Sequence, residues 1–354
     1  MKNSLLCKPL LTISFFLFIA VQCMYSVDVV LPALKVSENK RYLMSENNEP
    51  FFWLGDTGWL LFSKLKREEV ELYFDNRVAD GFNLIQVMLL HSLDVKNAYN
   101  QFALIDNDVA RPLTTIGNDV NDSLQYDYWD HVDYIVELAA TKGLYLGLVP
   151  IWGSNVRAGR VNVEQAEQYA RFLAERYGTK TNIVWLNGGD VRATDATPVW
   201  QKIGKTLKAY APKQLMTFHP FGRTQSSTWF NNESWLDFNM FQSGHRRYSQ
   251  DTARIDARYG EDNWRYVVDD LSKLPAKPTI DGEPSYEGIP HGLHDTLEVR
   301  WSKDDLRRYA YWSVFSGAFG FTYGHSSVMQ FYAKSPKAGA YGARQTWIDA
   351  LTNS

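Results

Sequence analysis

At 354 residues the chain is long enough for one large α/β barrel or for two or three average domains. Hydrophobic and charged fractions of 45% and 22% are those of an ordinary globular protein, and a formal net charge of −3 gives no electrostatic basis for binding nucleic acid or an acidic membrane. Aromatic residues, at 14%, are numerous enough either to build a large core or to offer flat faces to a neutral polar ligand.

The first 26 residues read as a secretory signal, with Lys2 and Lys8 ahead of an apolar run over 10–21 that is too short to span a bilayer. Both cysteines, Cys7 and Cys23, fall inside it, so neither a disulfide nor thiol chemistry is expected in the mature domain. The expected location is secreted or periplasmic. A lipid anchor on Cys23 is the less favoured outcome, because Gln22 is bulky at the position before it. Residues 27–50 alternate around Glu46-Asn47-Asn48-Glu49 and predict a β-hairpin that lids one end of the fold. Residues 51–354 are read as one domain.

From 51 onward short apolar runs alternate with amphipathic segments, the pattern of βα units around a parallel sheet. Strand one, 51–56, leads to a helix with Val70, Leu72, Tyr73, Phe74 and Val78 as its apolar set, stopped by Gly81. Strand two, 83–90, ends at His91. The long polar loop that follows, to about 125, is expected to be either a functional loop over a site or locally disordered. A helix over 127–142 buries Trp129, Val132, Ile135, Val136 and Leu138, and Gly143 closes it. Strand three is 145–152, followed by a helix over 163–177 and strand four over 182–187. A helix with Pro198 near its start precedes strand five, 215–219, and strand six, 238–242. A helix over 254–271, strand seven ending at Glu283, a helix over 303–318 and strand eight over 320–323 complete the series. Eight strands is the number that closes a (β/α)8 TIM barrel. Only a short helix, 344–351, follows. Either the barrel is trimmed, with an incomplete eighth helix, or the chain is part of a longer product.

The working face of such a barrel lies at the carboxyl ends of its strands. There the sequence puts Asp56 and Trp59, His91, Trp152, Asn187 and Asp190, His219, Gln242 and His245, Glu283 and Tyr286, and Tyr323 and His325. Any one of them can be a capped strand end or a satisfied hydrogen bond, but together they point to a pocket. Two stretches share a design, Trp185-Leu186-Asn187-Gly188-Gly189-Asp190 and Pro278-Thr279-Ile280-Asp281-Gly282-Glu283, each running from apolar residues through glycine into an acid. Strands four and seven lie on roughly opposite sides of the ring, so these acids can face each other across a sugar. Glycoside hydrolysis needs such a pair, one acid to protonate the leaving oxygen and one to attack, or activate water, at the anomeric carbon. Asp281 competes with Glu283, and Asp56 or Glu287 can equally accept from a sugar hydroxyl. The histidines show no HExxH pattern, and no GxSxG, Walker loop or strand-linked GxGxxG is present, so no metal or cofactor is expected.

Trp53-Leu54-Gly55-Asp56-Thr57-Gly58-Trp59, the stretch ending at Asp190, Asp281-Gly282-Glu283-Pro284-Ser285-Tyr286-Glu287 and Tyr323-Gly324-His325 together resemble the apiosidase-like proteins, glycoside hydrolase family 140, over about residues 35–350. The resemblance implies a secreted bacterial (β/α)8 enzyme that removes apiose from side chains of the pectin rhamnogalacturonan II. It also implies a retaining double displacement, with Asp190 as acid/base and Glu283 as nucleophile. Larger barrel glycosidase families carry Asn-Glu at the end of strand four, whereas here Asn187 is followed by Gly-Gly-Asp, a shorter acid on a longer turn. Relatives continue into a complete eighth helix and a small C-terminal β domain of collagen-binding type. With neither complete in this sequence, collagen binding is not expected.

The expected protein is an exo-acting glycosidase on plant cell-wall oligosaccharides. Trp59, Trp152 and Tyr286 are expected to stack on sugar, and Asp56, His91, Asn187, His219, Gln242, Glu287 and His325 to complete the substrate contacts. A glycosidase for another pentose or hexose and an inactive carbohydrate-binding barrel remain as alternatives.

Overall fold

A computed structural model describes residues 31–250, 261–334 and 339–352. The secretory segment expected at 1–26, and part of the helix expected from 254, lie outside these residues. Three short strands come first, β1 (Leu34–Val36), β2 (Leu43–Ser45) and β3 (Pro50–Phe51). They form an antiparallel sheet, so the expected hairpin about 46–49 gains a third strand. This sheet covers the amino ends of the barrel strands: Phe51 packs edge-on against Tyr145, 5.1 Å between ring centroids, and the Tyr145 hydroxyl donates to the Pro32 carbonyl at 2.6 Å.

The barrel strands are β4 (Trp53–Thr57), β5 (Leu84–Leu90), β6 (Tyr145–Ile151), β7 (Ile183–Val191), β8 (Met216–Pro220), β10 (Asn239–Gln242), β11 (Thr279–Asp281) and β12 (Gly320–Thr322), with β9 (Thr224–Gln225) antiparallel to β10. Hydrogen-bonded neighbours run β8-β7-β6-β5-β4-β12-β11-β10-β9. Between β8 and β10 the ring closes without a regular ladder, through Asp237 N–H donating to Met216 O at 2.8 Å and the Thr217 hydroxyl to Phe238 O at 2.6 Å. The result is a nearly closed (β/α)8 barrel of TIM type. Within β5 the strand period is visible, Leu84 and Met88 joining the inner cluster while Ile85, Val87 and Leu89 join the cluster shared with the helices.

The helices in chain order are α1 (Leu61–Lys64), α2 (Arg67–Ala79), α3 (Tyr128–Thr141), α4 (Gly153–Arg157), α5 (Val163–Tyr177), α6 (Thr197–Tyr210), α7 (Ser227–Phe230), α8 (Asn263–Leu271), α9 (Lys303–Phe315) and α10 (Trp347–Leu351). Local chemistry sets their ends. Asp127 caps α3 by accepting from the amides of Trp129 and Asp130, and Gly143, at φ +80°, terminates it in a conformation that only glycine adopts without strain. The short α10 is docked by Trp347 against Phe331 and Tyr73.

Two expectations are corrected. Leu72 and Val78 of α2 are 49% and 41% exposed, because the inward stripe is Val70, Tyr73, Phe74 and Arg77. A charged residue takes the place of an apolar one there so that its guanidinium can meet Asp56 at 3.6 Å, both groups being fully buried. The segment 91–125 supplies no residue to the lining of the cavity at the strand ends. Its Leu93, Val95, Ala103, Leu104 and Val109 are buried in the core, Trp129 Nε1 donates to Ala103 O at 3.0 Å, and Thr115 N–H donates to Asp127 at 2.7 Å. It is a folded brace against α3, and its polarity hid the apolar residues spaced through it.

Removing one partner of a buried ion pair leaves the other unpaired. Arg77→Met is therefore expected to lower unfolding stability by about 3 kcal/mol, and Arg77→Met with Asp56→Asn to recover part of that loss, measured by urea denaturation.

Candidate active site

The carboxyl ends of the strands surround a cavity of about 410 Å³ whose lining includes Trp59, Trp152, Asp190, Gln242, His245, Glu283 and Tyr286. Asp190 reaches it by a backbone detour. Pairing of β7 with β8 is regular to Gly188 and resumes only at Val191, and Gly188, Gly189 and Asp190 carry φ values of +96°, +107° and +51°. Two glycines make this left-handed run affordable, and no side chain fits at Gly189, where a Cβ would sit 2.7 Å from the Trp152 ring. Asn187 pins the start of the bulge, its carbonyl oxygen accepting from Gly188 N–H at 3.0 Å and its amide donating to Trp200 O at 2.9 Å.

Glu283 follows β11 and is held by two imidazoles. His245 Nε2 donates to Oε1 at 2.9 Å, and His219 Nε2 lies 3.1 Å from Oε2, off the linear hydrogen-bond direction. On its other side the His219 ring accepts from the Asp190 backbone N–H at Nδ1, 3.3 Å away. That acceptance leaves the ring proton on Nε2, facing the carboxylate. One imidazole thus bridges the two acid-bearing segments.

Their environments separate the two acids. For Asp190 burial first, and then the negative charge of Glu283, raise the carboxyl pKa to about 6, against smaller opposing effects of His219 and His245 and a bond from Gly222 N–H. For Glu283 burial also acts upward, but the N–H groups of His219 and His245 turned to its two oxygens outweigh it and hold the group well below the usual glutamate range. Asp190 is partly exposed and lines the cavity.

The aromatic wall is compact. Trp59 and Trp152 have ring centroids 5.4 Å apart, both packing on the His219 ring, and Trp59 Nε1 donates to the Tyr286 hydroxyl at 3.2 Å. Of the residues expected to contact substrate, the structure brings Trp59, Trp152, Gln242 and Tyr286 into the cavity wall. His219 is fully buried behind it and serves Glu283. The others lie elsewhere. Asp56 is tied to Arg77 and the Tyr73 hydroxyl, the latter at 2.7 Å, and Asn187 is spent on the bulge. His91 is half-buried outside the lining. Glu287 accepts from the Tyr323 hydroxyl at 2.8 Å, and His325 accepts from Ser327 N–H at 3.1 Å, both beside a separate cleft. A strand-end position alone does not distinguish a side chain aimed into the mouth from one turned to the helices. Sequence reasoning missed Arg223, Arg246, Leu293 and Tyr341, which line the cavity from loops where no periodic signal exists. Among the described residues no group of three or more His, Cys, Asp or Glu side chains is placed to hold a metal ion.

The family model for the apiosidase-like catalytic domain matches residues 37–354. The chain belongs to the apiosidase-like family. It is a glycosidase: a solved structure described as a glycoside hydrolase is 51% identical, with a TM-score of 0.84 over 91% of this chain and 72% of that one. A glycoside hydrolase described as family 5, from Bacteroides vulgatus, is 47% identical with a TM-score of 0.84, covering 91% of this chain and 69% of that one. An endo-1,4-β-D-mannanase from Thermotoga petrophila, at 12% identity and a TM-score of 0.58 over 85% of this chain and 98% of that one, shares the barrel alone. Comparison with curated protein sequences gave no match.

In this apiosidase-like barrel the bulge should tolerate no side chain at its centre. Gly189→Ala is expected to lower kcat/KM at least about tenfold while the circular dichroism spectrum stays that of the wild type, since the clash falls on Trp152 and Gly153 N and displaces the residue that precedes Asp190.

Proposed function

We propose that this protein is a retaining, exo-acting glycosidase that releases apiose, or a closely related sugar, from side chains of a plant pectin of rhamnogalacturonan II type, with Glu283 as nucleophile and Asp190 as acid/base. The observation that carries the reading is the opposed tuning of the two carboxyl groups at one cavity, Asp190 raised and Glu283 depressed. Divergent environments on a pair of acids are what assign a proton donor and an ionised partner. The family supports apiose as the sugar. A cavity of about 410 Å³ beneath two tryptophans suits one terminal sugar ring and the start of the next, which favours exo action. Secretion is supported by the apolar run at 10–21 behind Lys2 and Lys8.

In the first step a Glu283 oxygen bonds to the anomeric carbon as the glycosidic C–O bond breaks, and the leaving oxygen takes the Asp190 proton. Negative charge leaves Glu283 as the ester forms, so bonds from His219 and His245 aid departure of the carboxylate in the second step more than its attack in the first. In that second step Asp190, now ionised, takes a proton from water, the hydroxyl bonds to the anomeric carbon, and the Glu283–carbon bond breaks. Both groups return to their starting states and the configuration is retained.

Glu283→Gln is expected to reduce turnover by at least about a thousandfold, and a loss within about tenfold would sink the nucleophile assignment. Asp190 works protonated, so kcat/KM should fall as pH rises through about 6, while the acid limb, set by ionisation of Glu283, should lie well below the ordinary glutamate range. Chromatography of products from apiosyl pectin oligosaccharides and from a panel of aryl pentosides and hexosides tests the sugar. Apiose release is expected, and release of a different sugar alone would move the specificity. With methanol as acceptor the methyl glycoside should keep the substrate's anomeric configuration, and an inverted one would exclude double displacement.

A further inference from the structure

Asp281 is the last residue of β11, two before Glu283, and does not line the cavity, yet it is fully buried, and among the described residues no ion pair reaches it. Its carboxyl group accepts from the Ser243 hydroxyl at 2.5 Å, Ser243 N–H at 3.3 Å, Asn263 Nδ2 at 3.2 Å and the backbone N–H of Glu283. Ser243 and His245, just past the end of β10, meet Asp281 at the end of β11 and Glu283 just beyond it as two rungs, the upper at 2.9 Å. Gly244 N–H donates to Glu283 O at 3.1 Å between them. Asn263 also donates to Tyr309 O at 2.9 Å, which ties the lower rung to α8 and α9.

Three of the four donors are N–H groups that cannot reverse, whereas the Ser243 hydroxyl can donate to an ionised carboxylate or accept from a protonated one. The rung therefore holds in either state. Burial raises the Asp281 pKa to about 7, so both states occur near neutrality. The other groups facing it are Glu283 and His245 above, and Tyr309 beside the Glu261–Arg308 pair, 2.9 Å apart, on the helix side.

We propose that Asp281 is a positioning residue for the nucleophile, setting through Ser243 and the Glu283 amide the height at which the Glu283 carboxylate meets His245. This rests on the reading of Glu283 as nucleophile. Asp281 touches no substrate, so its loss acts on the chemical step and on the ionisation of Glu283 rather than on binding.

Kinetics of Ser243→Ala, Asp281→Ala and Asp281→Asn across pH, with Glu283→Gln alongside, test it. Ser243→Ala is expected to lower kcat about tenfold and Asp281→Ala about a hundredfold, each with KM within about twofold. In both, the acid limb of kcat/KM should move up by about one pH unit or more, as Glu283 loses its alignment with His245. Asp281→Asn, which keeps an acceptor for the Glu283 amide, should recover part of the kcat lost in Asp281→Ala. An acid limb unmoved in Ser243→Ala, or kcat and KM changing together, overturns the proposal, and if Asp281→Ala does not fold, Ser243→Ala decides alone. Should Glu283→Gln stay active, the nucleophile reading fails. Should it be inert while Ser243→Ala keeps the wild-type limb, only the Asp281 proposal fails.

Discussion

The carboxylate of Glu283 is buried among aromatic rings, where loss of hydration costs an ion several kcal/mol, and His219 and His245 offset that cost by setting an imidazole against each oxygen. Much of the surrounding structure follows from this requirement. His219 keeps its proton on Nε2 because Nδ1 is occupied by the Asp190 amide, and that amide points inward only because the preceding glycines take a left-handed path. The negative charge so stabilised then helps to keep Asp190 protonated. One buried charge thus links the tautomer of a histidine, the strain of a bulge and the protonation of the opposing acid.

The same logic explains why the acid on β7 is an aspartate. A regular strand end would have carried a long side chain over the mouth, whereas here the backbone itself travels outward through the bulge and a short side chain suffices. A short carboxyl on a pinned backbone has fewer rotamers to lose, so its placement relies on Asn187, His219 and Gly222 more than on its own packing. A non-glycine residue at φ +51° is strained, and the strain is held by these bonds at the point where the site needs the side chain.

The barrel was legible because its signal is periodic: apolar runs near 84–90, 145–151 and 183–187 repeat with helices between them, and glycines at 81 and 143 mark helix ends. The two acids were legible because glycines precede them at strand ends. The substrate wall was only half legible. Trp59, Trp152, Gln242 and Tyr286 line the cavity as their strand-end positions suggested, but Asp56, Asn187 and Glu287 turn to partners well away in sequence, Arg77, Trp200 and Tyr323. Such pairings are long-range, and no local pattern encodes them. The 91–125 segment was misread for a related reason, since its apolar residues follow neither the helical nor the strand period and look like a loop until the helices they brace are in place.

The far wall of the cavity has a different origin. Ile289, Gly292 and Leu293 come from the loop after β11, and Tyr341 from the segment before α10. Arg300 ties these two together by donating to the carbonyls of Gly288 and Gly342, the latter at 3.0 Å. The acid pair therefore belongs to the strand ends of the ring, while this part of the cavity wall belongs to loops joined through one guanidinium. That wall is joined to the acid pair at His245, which donates to Glu283 at 2.9 Å and whose carbonyl accepts from Gly292 N–H at 2.7 Å and Trp301 Nε1 at 3.3 Å. Strand ends and loops thus supply different parts of one cavity, and a change in the loop after β11 reaches Glu283 through His245.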